Sequence, residues 1–286
     1  MISGKTRIAG IFASPVSHSL SPLMHNTAFQ ARSIDAIYLA FTVDQTNLKQ
    51  AVESIRTFNM LGVNLSMPNK IAVIPYLDEL SQEAQLIGAV NTIVHRDNRL
   101  IGYNTDGMGF MRSVNEAGIA IKDKKVTMLG AGGAAKAIVV QAALDQAKEI
   151  VIYKRKNATF ASVASTFQKI AEQTGCHITI KDYADTEQLK KNLEDTDLLI
   201  NGTDMGMGEK KEMVPIDPQL LHPKIAVFDL IYSPRETRFL KEAKAQGCLT
   251  RNGLGMLLYQ GAIAFELWTG QTMPIEKIQP LLDSKE

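Results

Sequence analysis

Three short polar strings in the first half of this chain gather residue types that can grip a small hydroxylated molecule. Ser17-His18-Ser19-Leu20-Ser21 supplies hydroxyls, Asn64-Leu65-Ser66-Met67-Pro68-Asn69-Lys70 adds amides and an ammonium, and Asn104-Thr105-Asp106 adds a carboxylate. Asn91 begins a strand near the same region. Each string falls where a strand ends and a helix begins. In open α/β sheets ligands bind outside the carboxyl ends of the strands, so the strings can converge on one cleft. Hydroxyls, amides, one ammonium and one carboxylate form a donor and acceptor set suited to a polyhydroxylated carboxylic acid. Ser19 and Ser21, at a helix start, are placed to hold the acid group with help from the helix dipole. Each residue also has a plainer reading: Ser21 as an N-cap, Asn91 as a turn residue, Lys70 as an exposed lysine. His18 and His25 are too few for a metal site, and no metal is expected.

A second chemistry begins at Gly130-Ala131-Gly132-Gly133-Ala134-Ala135, directly after the apolar run Val126–Leu129 and before the apolar helix Ile138–Leu144. Gly130 permits a tight turn, Gly132 lets backbone approach a pyrophosphate, and Ala135 is small enough for close helix–strand packing. N–H groups at the helix start then receive the anion. Strand, loop and helix agree, which favours a bound dinucleotide over a purely steric turn. At the end of the next strand an NAD enzyme usually carries a carboxylate for the ribose 2′-hydroxyl. This chain has Tyr153-Lys154-Arg155-Lys156-Asn157 there, three cations and no carboxylate. Cations suit a 2′-phosphate; the bland alternative is a solvated charged turn.

Positioning both groups requires strands alternating with helices. Ile8–Ala13, Ile37–Val43, Gly62–Leu65, Asn91–His95 and Leu100–Tyr103 read as strands, the last two joined by the turn Asp97-Asn98. Val126–Leu129, Ile150–Tyr153, Ile178–Lys181, Leu198–Asn201 and Ala226–Leu230 follow in the second half. Ser21-Pro22 and Pro68 suit helix starts. The expected fold is α/β with two domains. An N-terminal α/β substrate domain over 1–105 is joined by a C-terminal helix in 256–286 that returns to it. A Rossmann-type, doubly wound dinucleotide-binding domain spans 106–255.

Composition narrows the partners. The 286 residues are 45% apolar and 21% charged, ordinary for a soluble protein with a packed core. A net charge of +1 gives no electrostatic reason to expect nucleic acid or an anionic membrane. No apolar run approaches the roughly 20 residues of a bilayer span. Met1-Ile2-Ser3-Gly4-Lys5 lacks a signal-peptide core, and Cys176 and Cys248 match no zinc or redox spacing, so reduced thiols in the cytoplasm are expected.

The ordered motifs make the reading specific. Pro15-Val16-Ser17-His18-Ser19-Leu20-Ser21-Pro22-Leu23-Met24-His25-Asn26 resembles the substrate motif of shikimate dehydrogenases. So do Ser66-Met67-Pro68-Asn69-Lys70, Gly88-Ala89-Val90-Asn91-Thr92 and Asn104-Thr105-Asp106-Gly107. Asn201-Gly202-Thr203, Asp229-Leu230-Ile231-Tyr232 and Gly253-Leu254-Gly255-Met256-Leu257-Leu258-Tyr259-Gln260 continue the match in order, over nearly the whole chain. Ser-Met-Pro-Asn-Lys looks closest to the quinate/shikimate dehydrogenase branch. The resemblance implies Lys70 and Asp106 as the catalytic pair, with Ser19, Ser21, Ser66, Asn91, Gln260 and Tyr232 around the substrate. It implies Ala131, Gly132, Gly133 and Ala134 at the pyrophosphate, Lys154 to Asn157 at the adenosine ribose, and Thr203, Leu230 and Gly253 near the nicotinamide. The family usually has Asn-Arg-Thr or Asn-Arg-Ser, and its dual-coenzyme branch Asn-Arg-Arg-Asp, where this chain has Lys154-Arg155-Lys156-Asn157.

The implied reaction is reversible reduction of 3-dehydroshikimate to shikimate with NADPH, with quinate and NAD as alternatives, by a monomer or homodimer. In the oxidative direction a hydride leaves the carbinol carbon for the coenzyme while Lys70 takes the hydroxyl proton. A carboxylate beside an amine favours the ammonium and opposes that base role. Either desolvation offsets this, or the pair titrates as one unit. Two rivals are another two-domain nicotinamide enzyme, such as a methylenetetrahydrofolate dehydrogenase, and a non-catalytic dinucleotide-binding protein. The second gives no reason for Lys70 and Asp106.

Overall fold

The computed structural model describes residues 2–284. It divides into two compact units, one built from the chain up to Gly109 and again from Leu258 onward, the other from Phe110–Leu257. Asp106 therefore stays with the first unit, where the sequence reading placed it at the start of the second. Both divisions fall inside helices, Asp106–Glu116 and Leu254–Thr269, so no loop or linker in the sequence marks them.

The first unit holds β1 (Arg7–Ala13), β2 (Ala36–Thr42), β3 (Gly62–Leu65), β4 (Glu79–Leu80), β5 (Thr92–Arg96) and β6 (Arg99–Tyr103). They form one sheet in the order β2-β1-β3-β5-β6-β4. β1 is parallel to β2 and β3, whereas β5 runs antiparallel to β3 and β6. Asp97 and Asn98 both have positive φ, 51° and 61°, the geometry a tight β5–β6 hairpin needs and these residue types tolerate. Strand alternation splits the core. Ala9, Ile11 and Ala13 pack with Phe29, Tyr38, Phe265 and Trp268, while Phe12 packs with Val52, Ile55, Val63 and Ile93 on the other face. Helix Leu254–Thr269 reaches the first core through Leu258, Ala262, Phe265 and Trp268, and the Trp268 indole donates to Ile93 O at 3.0 Å.

The second unit holds β7 (Lys125–Leu129), β8 (Glu149–Lys154), β9 (His177–Asp182), β10 (Leu198–Asn201), β11 (Ala226–Asp229) and β12 (Leu249–Arg251). Their order, β12-β11-β10-β7-β8-β9, is all parallel. This is the doubly wound arrangement, with its switch point beside β7. Leu129, Val151, Leu199 and Val227 line one face and bury Leu189, Leu193, Phe239 and Leu240 against it.

Three local readings need correction. Ser21 is not the N-cap: Leu20 holds that position, Ser21 is already helical, and no side-chain cap bond forms. Asn91 precedes β5 rather than beginning it. The C-terminal segment 256–286, read as one helix, is two: Leu254–Thr269 ends at Gly270, whose φ is 70°, and Ile275–Asp283 follows and buries Ile278 and Leu282.

Candidate active site

In the first unit, β1 and β3 end side by side, with Phe12 opposite Leu65. Because β5 is antiparallel it begins there, with Thr92 opposite both Asn64 and Tyr103. The topology thus brings Ser19 and Ser21 after β1, Ser66 and Lys70 after β3, Asn91 before β5 and Asp106 after β6 to one end of one sheet. Each is half-buried or buried.

Lys70 sits on the short helix Asn69–Ala72, which Asn69 pins by donating to Val43 O at 2.7 Å and Phe12 O at 3.3 Å. Asp106 opens helix Asp106–Glu116, its N–H donating to Asn104 Oδ1 at 3.2 Å. Lys70 Nζ lies 2.6 Å from Asp106 Oδ2, with side chains 27% and 14% exposed. That exposure leaves the pair reachable by a ligand while shielding it from full solvation. Asn91 Nδ2 donates to Asp106 Oδ1 at 2.8 Å and to Thr105 Oγ1 at 2.9 Å. An ammonium, a carboxylate and an amide share one hydrogen-bonded set, fit to exchange a proton with a hydroxyl held beside them.

Ser21 is 8% exposed and its side chain lies beside the buried Tyr38 phenol. Ser19 Oγ accepts the Ser21 N–H at 3.3 Å. Gln260 is held by its backbone: a Cβ on Gly109 would stand 2.4 Å from Gln260 N. Tyr232 belongs to the second unit and is 40% exposed.

The second unit gathers its own site at the switch point. Gly130 N donates to Tyr153 O and Gly202 N to Leu129 O, both at 2.8 Å, tying the loop after β7 to both neighbours. Gly130 has φ 95°, and a Cβ there would meet Gly202 O at 2.9 Å, so a glycine is required. Gly132 caps helix Gly133–Leu144, and a Cβ at Gly132 or Gly133 would project into open space, the cradle a pyrophosphate needs. Ala135 is buried, its Cβ 3.2 Å from where a Gly202 Cβ would stand. Gly130, Ala131, Gly132, Lys154, Arg155, Asn157 and Thr203 line a cavity of 340 Å³.

The cations are not equivalent. Lys154 Nζ is turned onto Asn157 Oδ1 at 2.6 Å. Asn157 Oδ1 also accepts the Thr159 N–H and hydroxyl, leaving its Nδ2 as what it can offer a ligand. Lys156 is exposed and outside the lining. Of the two cations in the lining, Arg155 is the one not drawn onto Asn157. Leu230 and Gly253 meet backbone to backbone, since a Cβ on Gly253 would stand 2.1 Å from Leu230 O.

Sequence reasoning gave no role to Asp229 and Asn201, although both lie in quoted motifs. Buried Asp229 accepts from Asn201 Nδ2 at 3.0 Å, the Ile231 N–H at 3.1 Å and the Thr237 hydroxyl at 2.7 Å, locking the loops after β10 and β11. Burial pushes its carboxyl up to about 6 against the pull of those bonds. Tyr38 and Thr92 gave no signal at all, being ordinary strand formers by type. Among the described residues no helix is long and apolar enough to cross a membrane, and no three His, Cys, Asp or Glu side chains gather as a metal would need.

Comparison with known proteins agrees with this geometry. The family model described as the shikimate dehydrogenase substrate binding domain matches residues 11–93, and that described as the shikimate 5'-dehydrogenase C-terminal domain matches residues 253–281. The chain is 47% identical to the shikimate dehydrogenase (NADP(+)) of Streptococcus uberis, over 98% of this chain and 97% of that one. The shikimate 5-dehydrogenase of Listeria monocytogenes, solved with shikimate and NAD, matches with a TM-score of 0.95 at 46% identity, covering 98% of each chain. A quinate dehydrogenase of Corynebacterium glutamicum, solved with NAD, matches with a TM-score of 0.87 at 26% identity, covering 98% of this chain and 99% of that one.

Proposed function

The chain belongs to the shikimate dehydrogenase family, and from that premise we propose that it interconverts shikimate and 3-dehydroshikimate with NADP as coenzyme. Bound NADP supplies the acceptor for the hydride that leaves the carbinol carbon. The chain's own residues do the rest. Lys70 takes the hydroxyl proton in the oxidative direction and returns it in the reductive one. Asp106 holds the Lys70 ammonium, and Asn91 holds Asp106. Ser19 and Ser21 take the acid's carboxylate, while Ser66, Gln260 and Tyr232 take its hydroxyls. Gly130 to Ala134 would hold the pyrophosphate of the coenzyme, Arg155 its 2′-phosphate, and Thr203, Leu230 and Gly253 would line the nicotinamide end. The setting this implies is the cytoplasm, with a monomer or homodimer acting on a small acid and neither nucleic acid nor membrane involved.

The observation that carries the reading is the 2.6 Å Lys70–Asp106 contact with Asn91 on the second carboxylate oxygen. A non-catalytic binding protein has no use for it. Coenzyme reduction measured with shikimate and quinate, each crossed with NADP and NAD, tests it. Turnover with shikimate and NADP is expected; coenzyme binding without turnover in any of the four combinations would sink the proposal.

A further inference from the structure

Behind the Lys70–Asp106 pair a line of buried hydrogen bonds runs to a phenol that the proposed chemistry does not use. The Tyr38 hydroxyl donates to Asn64 Oδ1 at 2.8 Å. Asn64 Nδ2 donates to Thr92 Oγ1 at 3.0 Å, Thr92 Oγ1 to Asn91 Oδ1 at 2.9 Å, and Asn91 Nδ2 to Asp106 Oδ1 at 2.8 Å. Sheet register makes the line possible. Tyr38 stands opposite Ala9, whose methyl lets the ring pass over β1, and Asn64 stands opposite Thr92. Tyr38, Asn64, Thr92 and Asn91 are each at most 5% exposed, so water does not compete for these bonds.

The links share one consistent polarity. Burial pushes the Tyr38 phenol far above its ordinary range, so it keeps its proton and gives it to an amide oxygen. That turns the Asn64 nitrogen toward Thr92, whose own proton is then left for Asn91 Oδ1. The Asn91 oxygen also accepts the Thr105 N–H at 2.8 Å, so its nitrogen faces the carboxylate. The aromatic end is held as firmly. His25 stacks on Tyr38 with centroids 4.5 Å apart and planes 8° from parallel, and Trp268 lies 6.0 Å away. Burial pushes the His25 imidazole down to about 3, which keeps the stack uncharged.

We infer that Tyr38, Asn64 and Thr92 are positioning residues for the reaction: acting through Asn91, they hold one oxygen of Asp106 so that the other stays aimed at Lys70 Nζ. This rests on the Lys70–Asp106 chemistry proposed above. The line gives buried Tyr38 a task that packing alone does not explain, because a phenylalanine would fill the same stack.

Steady-state kinetics on the full chain, with shikimate and NADP, test it in Tyr38→Phe, Thr92→Val and Thr92→Ser alongside thermal melts. In Tyr38→Phe and Thr92→Val kcat should fall about tenfold, the size of one supporting hydrogen bond. In Thr92→Val KM for acid and coenzyme should stay within about twofold; Tyr38→Phe also removes the phenol beside Ser21, so there only the coenzyme KM is held to that limit. Thr92→Ser, which keeps the hydroxyl, should recover most of the turnover. In an Asp106→Asn background Tyr38→Phe should add no further loss, since its effect passes through that carboxylate. Wild-type kcat in Tyr38→Phe overturns the inference, as does a loss in Thr92→Ser equal to that in Thr92→Val. In Thr92→Val a fall in kcat matched by a rise in KM and a lower melting temperature marks a structural tie and also overturns it. Should Tyr38→Phe fail to fold, the Thr92 pair decides. No turnover by the wild-type chain overturns the activity reading and the relay's role with it, and is told apart because it appears before any substitution.

Discussion

A Cβ on Gly109 would stand 2.4 Å from the backbone nitrogen of Gln260 and 2.8 Å from its Cα. Neither atom is the end of a flexible side chain, so helices Asp106–Glu116 and Leu254–Thr269 meet backbone to backbone at this point. Helix propensity alone would make Gly109→Ala stabilising by up to about 1 kcal/mol. Overpacking typically costs about 1–3 kcal/mol, and here it outweighs propensity because the obstruction is main chain. Gly109→Ala should therefore lower the melting temperature. It should also raise KM for the acid, because the helix that must shift carries Gln260. Thermal melts and KM measured together decide, and a stabilised variant with unchanged KM would refute both halves.

The acid–base pair makes a larger demand. Lys70→Ala and Asp106→Ala should each lower turnover by at least about 100-fold with the chain still folded, the lower end of what a general acid or base contributes. Circular dichroism melts establish folding, and kcat for shikimate oxidation reads the effect. A variant that keeps near-normal turnover loses its place in the mechanism.

Much of this site was legible because its chemistry sits in contiguous strings at strand ends. Gly62–Leu65 and Leu198–Asn201 stand as read, since short, largely apolar stretches bounded by turn formers leave little choice. Partners distant in sequence were not legible. Thr92 and Asn64 lie 28 positions apart, and only the antiparallel β3–β5 register places them opposite each other. Tyr38 reads as an apolar strand residue, and nothing local announces its hydrogen bond. Ser21 was misplaced by one position because a serine before proline has the composition of a cap, while the Leu20 backbone takes that position instead. The three cations at the end of β8 look alike by charge count, and side-chain direction alone separates Arg155 from Lys154 and Lys156.

Asp229 sets a pH dependence whose sign opposes ordinary acid denaturation. Its carboxyl is pushed up to about 6 by burial, so the native state binds this proton more tightly than the unfolded chain does. The cost of keeping Asp229 ionised is present in full above pH 6. It is relieved as pH falls through 6 toward the ordinary carboxylate value near 3.8. His25, held down to about 3, works the other way: stability is lost as pH falls below 6.5, because the unfolded imidazole takes a proton the native one refuses. Wild type should therefore gain on Asp229→Asn, by on the order of 2 kcal/mol, as pH falls from 7.5 to about 4.5. Melting curves of both proteins across that range test it; a constant gap would show that the three hydrogen bonds fully compensate the charge.

Coenzyme choice turns on which cation the 2′-phosphate meets. Lys154 is drawn onto Asn157 Oδ1 at 2.6 Å and Lys156 lies outside the cavity lining, which leaves Arg155. Arg155→Ala should lower kcat/KM for NADP by about 10- to 100-fold, the worth of a charge-assisted pair, and change NAD far less. Asn157→Asp is the subtler case. A bare carboxylate there would repel the phosphate and accept from a ribose hydroxyl, favouring NAD. In this loop the new charge falls on the atom Lys154 already holds, so it is partly neutralised where it forms. Asn157→Asp alone should move the preference toward NAD only modestly, and the double change Lys154→Ala with Asn157→Asp should move it much further. That non-additivity is the signature of the Lys154–Asn157 contact. All four proteins are compared by kcat/KM for both coenzymes at one fixed salt concentration, since screening would otherwise mimic the effect. A wild-type preference for NAD, or an Arg155→Ala protein that loses both coenzymes equally, would return Arg155 to the solvent as one more charge on a surface turn.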